Sequence, residues 1–279
     1  MPRILVTGGG GMLARALSNR FGDAATTLTR AELDITDAEA VARAVAGFDA
    51  VINAAAYTAV DDAETHEDDA LAINAMGASN VARACAMHGA RLVHVSTDYV
   101  FDGTAAGPYA EDAPTNPISA YGRTKLAGER AVINAHPSGT TIVRTAWLYG
   151  AGGKNFVATM LDRAVAGAPV SVVDDQHGQP TWTHDLAGRI ADLIDVGPGV
   201  YHGTNSGRCS WFDLAVAVYS AAGADPALVT RTTSAEFSRP APRPTNSVLS
   251  DDAALAAGLS PMRAWDVALA DALRVDFGL

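Results

Sequence analysis

Tyr121 and Lys125 stand four residues apart in the run Tyr121-Gly-Arg-Thr-Lys125. On a helix that spacing places both side chains on one face. A free tyrosine titrates near 10 and is a poor acid–base group at neutrality. A cation one turn away favours the phenolate and is expected to lower that value. Lys125 can also hold ribose hydroxyls, which would couple cofactor position to proton delivery. Upstream, Thr97 closes the segment Arg91-Leu-Val-His-Val-Ser-Thr-Asp98, at the carboxyl end of an apolar strand pattern. Its hydroxyl can donate a second hydrogen bond to a substrate oxygen, with Asp98 beside it. These residue types imply hydride transfer from C4 of a nicotinamide to a carbonyl carbon, with Tyr121 protonating the developing alkoxide. Tyr-x-x-x-Lys alone is short enough to arise by chance, so the reading depends on what surrounds it.

The first surrounding element is Arg3-Ile-Leu-Val-Thr-Gly-Gly-Gly-Gly-Met-Leu-Ala14, a strand, a glycine turn and a helix start. That order is the context a dinucleotide site requires. Gly8 can take the positive φ of a tight turn, and Gly11 lets backbone approach a pyrophosphate. Helix-start amides, at Met12 and Leu13, then face the phosphates. Ala14 stands where a third glycine is common, and a small residue still permits helix-on-strand packing. After the second strand pattern, Asp34 with Ile35 is placed to meet an adenine or ribose, and Thr36 or Asp37 fits the cap of the next helix, so that Asp34 can serve the cofactor and Asp37 the helix. Arg30, at the end of that strand, is the best partner for a 2′-phosphate and tilts the cofactor toward NADPH, with NADH as the alternative. Asn53-Ala-Ala-Ala-Tyr57 ends the third strand; Ala54, Ala55, Ala56 and Tyr57 let backbone come close to a flat ring or a ribose.

Strands at 4–6, 26–29, 50–53, 92–95 and 141–145 alternate with helical patterns at 12–20, 38–46, 67–88 and 121–135. Alternating β and α with apolar strands implies a parallel sheet covered on both faces, and right-handed crossovers make it doubly wound. The expected class is therefore α/β, a doubly wound parallel sheet of Rossmann type with a smaller, discontinuous C-terminal substrate domain. We divide the chain into 1–150 with 182–205 for the dinucleotide and 151–181 with 206–279 for the substrate. Gly150 to Gly153 reads as a flexible joint. In the second part, helices are expected at 156–166, 185–195 and 211–222, and strands at 170–173 and 199–204. The prolines of Arg239-Pro-Ala-Pro-Arg-Pro244 exclude a central strand or helix interior.

A net charge of −11 argues against nucleic acid and anionic membranes as partners, because both call for a basic face. Cys85 and Cys209 have no Cys-x-x-Cys spacing, so they read as unpaired thiols and no redox or metal pair is expected. No apolar run approaches the roughly 20 residues of a membrane span, and no signal peptide is indicated. A cytoplasmic location follows as an expectation.

Longer strings carry a resemblance. They include Asn53-Ala-Ala-Ala-Tyr-Thr-Ala-Val-Asp-Asp-Ala-Glu64, Val95-Ser-Thr-Asp-Tyr-Val-Phe-Asp-Gly103 and Tyr121-Gly-Arg-Thr-Lys-Leu-Ala-Gly-Glu129. Arg144-Thr-Ala-Trp-Leu-Tyr149, Asp174-Asp-Gln-His-Gly-Gln-Pro-Thr181, Thr204-Asn-Ser-Gly207, Arg239-Pro-Ala-Pro-Arg-Pro-Thr-Asn-Ser247 and Ser260-Pro-Met-Arg263 extend them through the tail. The chain resembles the extended short-chain dehydrogenase/reductases, and within them the dTDP-4-dehydrorhamnose reductases. The resemblance implies Thr97, Tyr121 and Lys125 as the catalytic trio, NADPH or NADH as donor, and a 4-keto-6-deoxyhexose nucleotide as acceptor. Trp147 then fits as a flat wall beside the sugar or nicotinamide, or as ordinary packing. Asn155 either caps the next helix or binds substrate phosphate. Arg239 and Arg243 are candidates for the diphosphate, since guanidinium groups grip phosphate with two bonds. Some members hold magnesium between subunits through an acid near the glycine turn. Met12-Leu-Ala-Arg-Ala16 has none, so we expect no metal there and a monomer or weak homodimer. A reductase of another deoxysugar, or a cofactor-binding regulatory subunit, are the competing readings.

Overall fold

Apolar strands only four to seven residues long make the centre of the protein, described over residues 2–279 in the computed structural model. In chain order the first half runs β1 (Ile4–Thr7), α1 (Met12–Phe21), β2 (Ala25–Leu28), α2 (Ala38–Val45), β3 (Ala50–Asn53), α3 (Glu67–Leu71), α4 (Ala78–His88), β4 (Arg91–Thr97), α5 (Ala120–Ala135) and β5 (Thr140–Thr145). A π-helical segment, Ala72–Gly77, joins α3 to α4. The second half runs β6 (Leu148–Tyr149), α6 (Phe156–Val165), β7 (Val170–Val173), β8 (His177–Gly178), β9 (Thr181–Trp182), α7 (Thr183–Val196), β10 (Gly199–His202), β11 (Cys209–Ser210), α8 (Trp211–Ala221), β12 (Val229–Thr232), α9 (Asp252–Ala256) and α10 (Trp265–Phe277).

β1 and β3 are buried along their whole length, which is why they read as unbroken apolar runs rather than alternating ones. Their side chains still alternate in direction. Ile4, Val6 and Ile52 pack under α1 and α7, while Leu5 and Val51 pack under α2 and α4. The central sheet has the order β10-β5-β4-β3-β1-β2, parallel throughout. The strand order reverses between β1 and β3. In open α/β sheets a ligand crevice forms there, outside the carboxyl ends of the strands. The doubly wound class is thus the observed one.

A second core gathers α6, α8 and α10, with Val157, Met160, Leu214, Val218, Leu269 and Leu273 buried together. Burial of each large apolar side chain there contributes roughly 1.5–3 kcal/mol. α10 was not anticipated, although its buried residues Ala268, Leu269, Ala272 and Leu273 keep helical spacing. Part of the tail turns back: Leu249 packs beside Tyr109, and Ala254 enters the core under α7. No helix among the described residues is long and apolar enough to cross a membrane.

The expected flexible joint at Gly150 to Gly153 is a fastened corner instead. The Asn155 amide donates to the Gly150 and Gly153 carbonyls at 2.9 and 3.1 Å. The Ala151 amide donates to Asp276 at 3.1 Å. A side chain at Gly150 would begin 2.2 Å from the Thr183 hydroxyl, so this glycine provides room rather than motion.

Candidate active site

At the end of β1 the chain must turn sharply to enter α1. Gly8 has φ 76°, and a Cβ there would lie 2.7 Å from the Ala55 nitrogen and 2.8 Å from the Ala54 carbonyl carbon. Only glycine satisfies both the conformation and the space. Gly11 is the N-cap of α1 and no side chain caps the helix. Its first amides therefore lack internal acceptors and carry the positive end of the helix dipole, which suits an anion. Leu13 is buried in the core, so only its backbone faces outward. Met12 lies against Gly153. Ala54, Ala55 and Ala56 follow β3 beside this turn.

The Gly9 amide donates to Leu28 at 2.8 Å and pins the turn to the end of β2. Arg30 lies exposed just beyond. Asp34 accepts from the Thr36 amide at 2.9 Å and hydroxyl at 2.8 Å, both through Oδ1. These bonds hold its carboxyl below the usual range, and the Arg30 charge adds to the effect. Oδ1 thus serves the local turn, which leaves Oδ2 to meet a ligand. Asp37 caps α2 as expected, accepting from Glu39 and Ala40. Ile35 is buried against the Gly77 segment.

Tyr57 is held by a residue the sequence reading did not single out. Asn74, in the π-helical segment, accepts from the Tyr57 amide at 2.8 Å and donates to its carbonyl at 3.2 Å. It also donates to Thr124 at 3.0 Å, tying the Ala54–Tyr57 loop to α5. A fully buried Asn within a helical apolar pattern is the signal that could have found it, because such a group must find partners.

α5 starts at Ser119, whose hydroxyl caps the Gly122 amide. A Cβ at Gly122 would begin 2.2 Å from the Tyr99 carbonyl oxygen, so this glycine lets the helix approach the loop after β4. The approach brings Tyr121 and Lys125 to the strand end that carries Thr97. Tyr121 meets Tyr99 edge-on, with ring centroids 5.5 Å apart. Thr97 accepts from the Tyr99 amide at 3.2 Å and donates to Asp98 at 2.8 Å. Serving a substrate oxygen requires that hydroxyl to turn away from Asp98.

The electrostatics differ from expectation. Burial raises the Tyr121 phenol above its ordinary value and the Asp98 charge raises it further, while Thr97 opposes them. Lys125 is buried and directs its ammonium to the Val95 carbonyl at 2.7 Å. Burial pulls its pKa down to about 8, with Glu129 opposing. The expected depression of Tyr121 by Lys125 does not appear: desolvation, with the Asp98 charge, sets the direction, and the phenol stays protonated at neutrality. Asp98, also buried, is pushed up to about 6 by desolvation, against the stabilising hydrogen bond from Thr97.

Beyond Tyr99 a cleft of about 750 Å³ opens between Phe156, Met160, Trp211 and Phe237, with Arg239 and Arg243 on its wall. Both arginines converge on Asp61, which sequence reading had not picked out. Arg239 Nε lies 3.3 Å from Oδ2, and Arg243 Nη1 bonds Oδ1. Tyr99 lines the cleft with Arg243, so the cleft connects to Tyr121 through one side chain. Trp147 stacks on Trp211 at 3.6 Å between centroids and lies behind it. Its φ of 47° is strained for a non-glycine residue, of order 1–3 kcal/mol. Asn155 caps α6 through the Ala158 amide at 2.9 Å, while its NH2 is engaged at the corner above. The alternative of phosphate binding is therefore not the role this geometry gives it.

The chain matches the family described as RmlD substrate binding domain over residues 2–276. It is 51% identical to a dTDP-4-dehydrorhamnose reductase of Streptomyces griseus, covering 97% of this chain and 92% of that one. It is 50% identical to a probable dTDP-4,6-dihydroxy-2-methyloxan-3-one 4-ketoreductase of Streptomyces antibioticus, covering 97% and 94%. Among solved structures, a dTDP-4-dehydrorhamnose reductase of Bacillus anthracis in complex with NADP superposes with a TM-score of 0.94 at 38% identity, covering 98% of each chain.

Proposed function

The chain belongs to the dTDP-4-dehydrorhamnose reductase family of extended short-chain dehydrogenase/reductases, and from that premise we propose that it reduces the C4 ketone of dTDP-4-dehydro-L-rhamnose with NADPH. It is an NAD(P)H-dependent oxidoreductase. The observation that carries the finer reading is the convergence of Thr97, Tyr121 and Lys125 at the end of β4, next to a cleft walled by two arginines.

The residues present fit a dinucleotide. The Gly8 hollow, which a Cβ would fill, and the uncapped start of α1 suit a pyrophosphate. Gly11, Met12 and Leu13 would hold it through backbone amides. Arg30 would take the 2′-phosphate and Asp34 Oδ2 the adenosine, with Ile35 backing it; Ala54 to Tyr57 would line the ribose side. Bound there, a nicotinamide supplies hydride to the ketone carbon. Tyr121 keeps its proton because of burial, and donates it from Oη to the alkoxide oxygen. Thr97 turns from Asp98 to donate to the same oxygen. Lys125 has two N–H groups beyond its bond to Val95 for the ribose hydroxyls. Arg239 and Arg243 are the diphosphate ligands, Asp98 a polar neighbour of the sugar, and Trp147 supports the Trp211 wall. In this reading 1–150 with 182–205 carries the dinucleotide and 151–181 with 206–279 the sugar nucleotide.

A second sugar is favoured by one finding: the ketoreductase relative, named for a different deoxysugar, is nearly as similar as the rhamnose enzyme. The test is to incubate the protein with NADPH and dTDP-4-dehydro-L-rhamnose, follow nicotinamide absorbance and identify the product by NMR. Formation of dTDP-L-rhamnose is expected. Tight NADPH binding without oxidation would sink the rhamnose reading and direct the assay to other 4-keto-6-deoxy sugars.

A further inference from the structure

α5 carries a third charged residue on the face of Tyr121 and Lys125. Glu129 lies one turn beyond Lys125 and is almost completely buried, as is Lys125. Its carboxylate has fixed partners. Arg144 on β5 grips it with Nε to Oε1 at 2.9 Å and Nη2 to Oε2 at 2.8 Å. The Ser96 hydroxyl donates to Oε1 at 2.5 Å. Ser96 precedes Thr97 and stands opposite Arg144 in the β4–β5 register. Arg144 is itself fastened by the Glu111 carbonyl at 3.0 Å.

A buried carboxylate and guanidinium recover little net stability, because desolvating both offsets their attraction. Packing alone is therefore a weak reason for such a pair. The reason lies beside it: an ammonium enclosed by protein loses its charge unless a counter-charge is held nearby. We propose that Glu129 is a positioning residue, the fixed counter-charge that keeps the Lys125 ammonium protonated, with Arg144 and Ser96 holding the carboxylate in place. The titratable, charged and hydroxyl groups that share its helix stripe or stand on the adjoining strands are Tyr121 and Glu129 on α5, His94 and Ser96 on β4, and Arg144 on β5. His94 is buried and its protonation is disfavoured by burial and by Lys125 itself, so Glu129 is the one anion of this set. The inference rests on the reductase reading for why Lys125 must be charged, but not for whether Glu129 charges it.

The chain contains only two lysines, Lys125 and Lys154, so [13Cε]lysine labelling gives two signals, assigned with Lys154→Arg. The ammonium of Lys125 is titrated directly by NMR in the full protein. In Glu129→Gln the Lys125 midpoint falls by about one unit or more, the effect of an opposite charge at close range. Glu129→Asp restores it toward wild type, and Ser96→Ala, which keeps the carboxylate, moves it less than Glu129→Gln. Arg144→Gln shifts it the other way, by removing the cation that competes for Glu129, and so tests the coupling if Glu129→Gln does not fold. The alkaline limb of turnover moves with the NMR midpoint. A Lys125 midpoint unchanged in both Glu129→Gln and Arg144→Gln overturns the proposal. If Lys125 responds as expected while the wild type reduces no nucleotide sugar, the reductase reading falls and this one stands.

Discussion

Replacing Asp98 by Asn tests whether a buried carboxyl beside Thr97 is under the strain the geometry implies. Asp98 is 2% exposed and its pKa is pushed from 3.8 up to about 6 by burial. A raised pKa means that the native state binds this proton more tightly than the unfolded chain. Between pH 4 and pH 6 the native state therefore holds more protons, and stability falls as pH rises through that window. About two units at about 1.4 kcal/mol each give about 3 kcal/mol. Asn is a neutral isostere and has no such loss. The difference in unfolding free energy between Asp98→Asn and wild type is expected to be small at pH 4 and to grow to about 3 kcal/mol in favour of the variant at pH 7. Burial also raises Glu111 and Asp251, but both titrate in either protein and cancel in the difference. Urea unfolding of the two proteins at half-unit pH steps measures it. A difference that stays flat within about 0.5 kcal/mol from pH 4 to pH 7 would refute the desolvation argument; one that grows in the opposite sense would mean that Asp98 is stabilised as an anion.

Tyr121→Phe removes the proton donor and leaves the ring in place; turnover is expected to drop by two orders of magnitude or more with NADPH affinity within about threefold, and turnover within tenfold of wild type would remove Tyr121 from the acid role. Gly8→Ala places a Cβ 2.7 Å from the Ala55 nitrogen at φ 76°. Strain of about 1–2 kcal/mol and overpacking of about 1–3 kcal/mol should lower the melting temperature and abolish NADPH binding, so a wild-type melting curve with intact binding would contradict it. Arg30→Ala should weaken NADPH by about 1.5–3 kcal/mol, tenfold or more, and leave NADH nearly unchanged; equal losses for both nucleotides would show that Arg30 does not read the 2′-phosphate.

β1, β3 and β5 were legible because each is buried along its length and so appears as an apolar run bounded by turn residues. β3 was read at its observed bounds, Ala50–Asn53. α1, α2 and α5 were legible from their spacing, and α2 also from its cap, with Asp37 doing what its position before Ala38 indicates. The π-helical segment was not, because one extra residue in a helical turn leaves the apolar pattern of 67–88 almost unchanged. Its consequence, Asn74 facing both Tyr57 and Thr124, depends on that extra residue. Gly150 to Gly153 misled for a related reason. Glycine in a sequence signals freedom or close approach equally well, and only the Thr183 side chain opposite Gly150 decides between them.

Partnership between charges was the least legible part of the site. Spacing places Tyr121, Lys125 and Glu129 on one stripe of α5, but spacing is silent about dielectric. Read as a solvated pair, Lys125 should lower the Tyr121 phenol. Enclosed by β4 and the strand-end loops, the phenol is raised and the ammonium is lowered to about 8. Both shifts have the same largest cause, the loss of water around each charged form. The outcome still suits a reduction, because the acid that must deliver a proton starts with one. It also moves the critical requirement from Tyr121 to Lys125, whose charge now needs support. That support comes from Glu129, which is anchored across two strands by Ser96 and Arg144, a long-range arrangement that a motif four residues long cannot encode.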